Sequence, residues 1–336
     1  MTKKGREGGG RCELKRFEEL PEYMKENEYI LDHYRTNFPV KDAFLSLFQW
    51  HNETLDVWTH LIGLLVFVGL TVMHLNDLSF VSPDLIGSFN WPVAMAALEN
   101  YTSKTYNNFS IASSSHIQMS YALESTLLDN EITSDIAVRW PFFVFLTGSI
   151  FCLLSSTICH LFCCHSHHLT LQLLRMDYAG IAVMIVTSFF PPIYYVFQCE
   201  PHWQYLYLGG ITIMGGFTVF TLLSPRLSKG PFRAYRAMLF LAMGFSGIIP
   251  AIHGTVVNWD MPHRPITLAY ESAMALSYVV GTMFYVTRVP ERWKPGFFDL
   301  TGHSHQIFHL FVVFGALAHY AASLVFLKWR GQVGCV

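Results

Sequence analysis

Seven stretches of about 20 mostly apolar residues follow one another down the chain, at roughly 57–75, 139–163, 175–198, 204–223, 235–252, 267–286 and 305–327. Nothing constrains the fold more. That length lets an α-helix cross the hydrocarbon of a bilayer, where only helices and closed barrels satisfy their own backbone hydrogen bonds. Gly148, Gly180, Pro191, Pro192, Gly215 and Gly216 interrupt several stretches, as membrane helices tolerate. The expected architecture is an all-α integral membrane protein, a seven-transmembrane helix bundle. Composition agrees: 52% of residues are hydrophobic and 14% charged, against about 25% charged in ordinary soluble domains. A net charge of -2 leaves no basic surface for a phosphate backbone, which sets nucleic-acid partners aside. The charged start of the chain lacks the apolar core and cleavage site of a removable signal peptide, so the first span is expected to target the chain.

Positive charge is retained on the cytosolic side during insertion. Arg175, Arg226, Lys229, Arg233, Arg236, Arg288, Arg292 and Lys294 fall on one set of connections, and Arg264, Lys328 and Arg330 on the other. Eight against three puts the N-terminus in the cytosol and the C-terminus outside. The chain then divides into a cytosolic segment (1–56), a membrane domain (57–327) with a long outer first loop (about 76–138), and a short outer tail (328–336). Two glycosylation triplets, at Asn100 and Asn108, lie in that loop, and a third at Asn52 faces the cytosol. The apolar residues Leu14, Phe17, Leu20, Tyr23, Met24, Tyr29, Ile30 and Leu31 suggest that the cytosolic segment either lies on the membrane or caps the bundle. The cysteines at 12, 152, 159, 163, 164, 199 and 335 do not read as a disulfide framework, and for Cys163 and Cys164 packing is expected ahead of a reactive thiol or S-acylation.

Ionisable side chains within spans are costly, so each is a functional candidate until a partner explains it. His305 and His309 stand at i and i+4, one turn apart on one helix face, which is how a helix offers two imidazoles to a metal. Such a pair also serves for hydrogen bonding at a membrane interface. Topology adds a third imidazole. The seventh span starts where the second ends, at Ser156 and His160, and where the third begins, with Asp177. Three imidazoles and a water make the usual open zinc site. Asp177 suits a base acting through water, and Ser156 suits a hydrogen bond to that water or to a substrate carbonyl. The bland alternative packs His160 against Cys159 and pairs Asp177 with Arg175 or a headgroup. His165, His167 and His168 are expected in solvent, and His319 lies too deep to join the cluster. His60 and His253 are expected to be hydrogen-bonded within the bundle, and Glu271 to pair internally or line a cavity.

The strings His51-Asn-Glu-Thr-Leu-Asp-Val-Trp-Thr-His60, Ser156-Thr-Ile-Cys-His160, Asp177-Tyr-Ala-Gly-Ile181 and Pro290-Glu-Arg-Trp-Lys-Pro-Gly-Phe-Phe-Asp299, followed by His303-Ser-His-Gln-Ile-Phe-His309, resemble the progestin and adiponectin receptor family. The similarity runs in order from about 40 to 327, and the inserted first loop is most similar to the plant heptahelical members. The resemblance implies seven helices with a cytosolic N-terminus, and a zinc ion held by His160, His305 and His309 with Ser156 and Asp177 near its water. In animal adiponectin-receptor relatives that site is associated with ceramide hydrolysis. Two functions are therefore carried forward. One is a receptor-like membrane protein, of the plasma membrane or an endomembrane, that cleaves the amide of a ceramide-like lipid with Zn2+ and catalytic Asp177 and Ser156. The other is a non-catalytic receptor or scaffold with structural zinc that recruits a cytosolic protein partner, for example in plant hormone, sugar or stress signalling. No paired broken half-helices point to a transporter.

Overall fold

A computed structural model describes residues 13–75, 120–224 and 232–332. The regular structure among the described residues is helical, with one isolated β-bridge between Lys15 and Tyr34. In chain order the α-helices are α1 (Val40–Leu45), α2 (Thr54–Leu75), α3 (Ser120–Phe162), α4 (His167–Ser188), α5 (Phe190–Val196), α6 (Pro201–Leu222), α7 (Arg233–Ser246), α8 (Ile248–Val257), α9 (Arg264–Thr287) and α10 (Ser304–Gln332). Six segments are long and apolar enough to cross a membrane: α2, Arg139–Phe162 of α3, α4 with α5, α6, α7 with α8, and α10. α9 is as long, at 24 residues, but Arg264, Glu271, Ser272, Ser277 and Thr282 dilute its apolar character.

Outward faces carry large apolar side chains that none of the described residues covers. On α6, Tyr205, Ile213, Phe217 and Phe220 are all exposed, as suits contact with lipid tails. The interior core lies where α2, α3, α4 and α10 meet, around Phe67, Phe142, Phe145, Leu153, Met184 and Ala316. α3 and α4 approach closely because Gly180 faces Ser155 and Cys152: a Cβ there would stand 2.4 Å from Ser155 Oγ and 3.1 Å from Cys152 Cα.

Three sequence expectations change. α3 is already helical at Ser120, within the stretch read as loop, and runs on through Pro141 into the apolar part. The triplets at Asn100 and Asn108 lie outside the described residues. α4 starts at His167, so Asp177 stands ten residues into that helix, about 15 Å from its start. Polar residues after the 163–164 cysteines mask that start, since Ser166 and Thr170 tie down the first turn: Thr170 donates from its N–H and its hydroxyl to the Ser166 carbonyl. Cys199 is disulfide-bonded, whereas Cys152, Cys159, Cys163 and Cys164 are free. It sits in the turn after α5, outside the apolar helices that bury Cys152 and Cys159.

The N-terminal segment caps one end of the bundle rather than lying apart from it. Arg35 is buried and donates to the carbonyls of His160 (2.6 Å) and Leu161 (3.0 Å) and to Ser46 Oγ (2.6 Å), closing the C-terminal end of α3, whose last carbonyls have no helical partner. Leu31 N–H donates to Asp299 (2.9 Å) and Asn27 to Glu291 (3.1 Å), which joins the segment to the loop before α10.

Candidate metal centre

The start of α10 is held in place by its own cap. Buried Glu291 accepts from Ser304 N–H (2.7 Å) and from the Ser304 hydroxyl, and Gln306 Oε1 accepts from Gly302 N–H (2.6 Å). A carboxylate at a helix N-terminus satisfies free amides and meets the positive end of the helix dipole. His305 and His309 thereby project from the first two turns toward the last turn of α3, which carries His160.

The three imidazoles meet. Their nitrogens lie within 4.8 Å of one another, and the Nε2 atoms of His160 and His305 are 3.3 Å apart. Zn–N bonds of about 2.0–2.1 Å arranged tetrahedrally put neighbouring nitrogens roughly 3.3 Å apart, so this spacing suits that ion. The far ring atoms are also engaged. His160 Nδ1 lies 2.5 Å from Glu53 Oε2, and His309 Nδ1 faces the Asp56 carbonyl at 3.2 Å and Thr59 Oγ1 at 3.3 Å. An Nδ1–H donated to an acceptor leaves Nε2 as a lone pair, so His160 and His309 turn unprotonated nitrogens toward a common point. The donor set therefore fits zinc.

Ser156 and Asp177 stand beside this cluster on the facing helices α3 and α4, and Asp177 is close enough to interact with both Ser156 and His160. Ser156 Oγ is buried, with the Asp177 carboxylate beside it. All five predicted site residues except His160 line one cavity of about 400 Å³, and His160 lies at its end behind His305. The walls are largely apolar, from Ile181, Phe189, Phe240, Leu268 and Val312, with Tyr285 near the histidines.

Sequence reasoning missed Glu53, Asp56 and Arg35. Glu53 and Asp56 lie inside the quoted 51–60 string, but the partners of neither are near in sequence. Burial would raise the Glu53 carboxyl; His160, His305 and Arg35 outweigh it and hold it below the usual carboxylate range. His303 stands 3.3 Å from buried Asp56, which overrides burial and raises the imidazole to about 9. His60 is corrected: it stacks on His309, centroids 3.6 Å apart, and neither ring nitrogen has a hydrogen-bond partner. His253 is hydrogen-bonded as expected, to Tyr207 OH at 2.9 Å, and His319 stays out of the cluster. His167 and His168 are exposed, whereas His165 is half-buried with Nδ1 2.8 Å from the Phe38 carbonyl.

The profile of the haemolysin-III related family matches residues 48–320, a span that contains Ser156, His160, Asp177, His305 and His309. The chain belongs to this family. Among curated proteins it is 56% identical to the rice (Oryza sativa subsp. japonica) heptahelical transmembrane protein ADIPOR1, over 96% of this chain and 87% of that protein. It is 54% identical to heptahelical transmembrane protein 1 of Arabidopsis thaliana, over 97% and 84% respectively. The adiponectin receptor protein of Drosophila melanogaster is 31% identical, over 90% of this chain and 57% of that one. With six apolar helices and relatives described as heptahelical, this family member is an adiponectin-receptor-like, multi-pass integral membrane protein.

Proposed function

We propose that this chain is a seven-span signalling protein with a cytosolic N-terminus, that His160, His305 and His309 hold a zinc ion, and that it hydrolyses the amide of a ceramide-like lipid. The observation carrying this is the convergence of three imidazoles at an apolar cavity that also presents Ser156 and Asp177. α9 supplies the seventh span: 24 residues extend about 36 Å, enough to cross. The histidines share the end of the bundle that holds the N-terminal cap and Arg288, Arg292 and Lys294, the side assigned to the cytosol of a plasma membrane or endomembrane.

Zinc bound there supplies a Lewis acid for the amide carbonyl and brings the pKa of a coordinated water toward about 7. The residues of the chain do the rest. The apolar walls take the acyl chain and keep bulk water from the reacting amide. Asp177 receives a proton as the water oxygen bonds to the carbonyl carbon, then passes it to the amide nitrogen as the C–N bond breaks, leaving a fatty acid and a free amine. Ser156 Oγ, buried beside Asp177, donates to the carbonyl oxygen as its negative charge grows.

A second reading, structural zinc in a receptor that recruits a cytosolic protein, is favoured by Trp293 and Phe297, which stand 74% and 72% exposed at the same end. Metal analysis and ceramide turnover on detergent-purified protein separate the two. About one zinc per chain, lost in His160→Ala and His305→Ala but kept in Asp177→Ala with turnover abolished, supports the hydrolase. Retained signalling in Asp177→Ala, with no turnover by the unaltered protein, supports the receptor. No stoichiometric metal overturns both.

A further inference from the structure

The cavity has a second polar pole. Glu271 of α9 and His319 of α10 meet at its wall, with His319 Nδ1 3.1 and 3.2 Å from the two carboxylate oxygens. His319 is 1% exposed, and the edge of Phe145 packs against its ring at 4.6 Å. Both residues line the same cavity as His305 and His309. Ten residues of α10 separate His309 from His319, so the two poles are about 15 Å apart along that helix, with apolar wall between them.

The pair does not satisfy itself. His319 Nε2 is buried with no hydrogen-bond partner among the described residues, a costly arrangement at membrane depth. We infer that Glu271 and His319 form a binding site for a hydroxyl group carried on the far part of a lipid chain whose carboxyl or amide end lies at the histidine cluster. This rests on the reading of the cavity as a lipid chamber. A hydroxyl both donates and accepts. It donates to Nε2 or to the carboxylate when the imidazole is neutral, and accepts from Nε2–H when the proton is there. A methyl group does neither, a carboxylate is repelled by Glu271, and an ammonium can donate to the pair but cannot accept from Nε2–H.

The test uses the purified full chain and measures displacement of a fluorescent fatty acid by saturated fatty acids of increasing length, each paired with its ω-hydroxy derivative. At one length the hydroxyl should improve Kd roughly two- to tenfold, the size of one added hydrogen bond. In Glu271→Leu and His319→Phe that advantage should vanish while the plain acid keeps its affinity. Equal affinity of each pair at every length in the unaltered protein overturns the inference, as does an advantage that survives both variants. Because the first comparison needs no variant, a misfolded substitution leaves it decisive. Failure of every acid to bind overturns the lipid chamber itself, a result distinct from binding without discrimination.

Discussion

Glu53 shows how a residue with no motif of its own governs the site at the scale of single side chains. Its carboxylate, 2.5 Å from His160 Nδ1, fixes that ring's tautomer and orientation, and losing such a partner typically costs 10- to 100-fold in metal affinity, about the effect expected here. Glu53→Gln should therefore weaken zinc binding by roughly that factor in competition with a chromophoric chelator, while Glu53→Asp recovers part of it. His51 makes a pH prediction. Its Nδ1 accepts from Glu53 N–H (3.1 Å) and its Nε2 faces the Ser46 carbonyl (3.2 Å), so the fold holds the neutral ring; burial first, then Arg35, lowers it to about 3. An unfolded histidine titrates near 6.5, so the stabilisation is complete above about 6.5 and is lost as pH falls toward about 3. Melting in detergent, followed by a thiol-reactive dye that reports on buried Cys152, Cys159 and Cys164, should fall across that window. His51→Asn should flatten the slope.

Between elements, the decisive contact is α3 against α4, because Ser156 and Asp177 come from these two helices. Gly180 lets the backbones approach. A Gly180→Val side chain has no space beside the Cys152 backbone, and overpacking of this kind costs about 1–3 kcal/mol. Its melting temperature should drop and ceramide turnover should fall by more than the loss of folded protein explains, since Asp177 moves away from Ser156. Element positions were legible in the sequence because transfer of apolar side chains to lipid sets where each helix runs. Starts were less so. Asp177 was read as a helix beginning but lies well inside α4, since the preceding His167–Met176 turns are polar enough to resemble a loop while still making helical hydrogen bonds.

In the whole molecule, the histidine cluster joins α3 to α10, and Glu53 and Arg35 extend that junction to the N-terminal cap. Metal that binds only the folded bundle stabilises it by mass action, about 2.7 kcal/mol at 100 times its Kd. Chelation should therefore lower the melting temperature of the unaltered protein, zinc should restore it, and His305→Ala should be indifferent to both. Topology is checked by tags. In intact cells or sealed right-side-out vesicles, an N-terminal tag should resist protease added from outside and a C-terminal tag should be cleaved; the reverse pattern would overturn the cytosolic assignment of the site.

The sequence alone determined the helical membrane class, the positions of the apolar helices and the identity of His160, His305, His309, Ser156 and Asp177 as candidates. These follow from local quantities: the length of an apolar run, the one-turn spacing of His305 and His309, and the charges beside each span. Only the tertiary structure decided that Glu53 seats His160 across 107 residues, that Asp56 meets His303, that the N-terminal segment closes the bundle, and that Glu271 and His319 face the same cavity as the cluster. The physical reason is that a partner in another helix is chosen by how the helices pack and rotate against each other, which no run or spacing within one helix encodes.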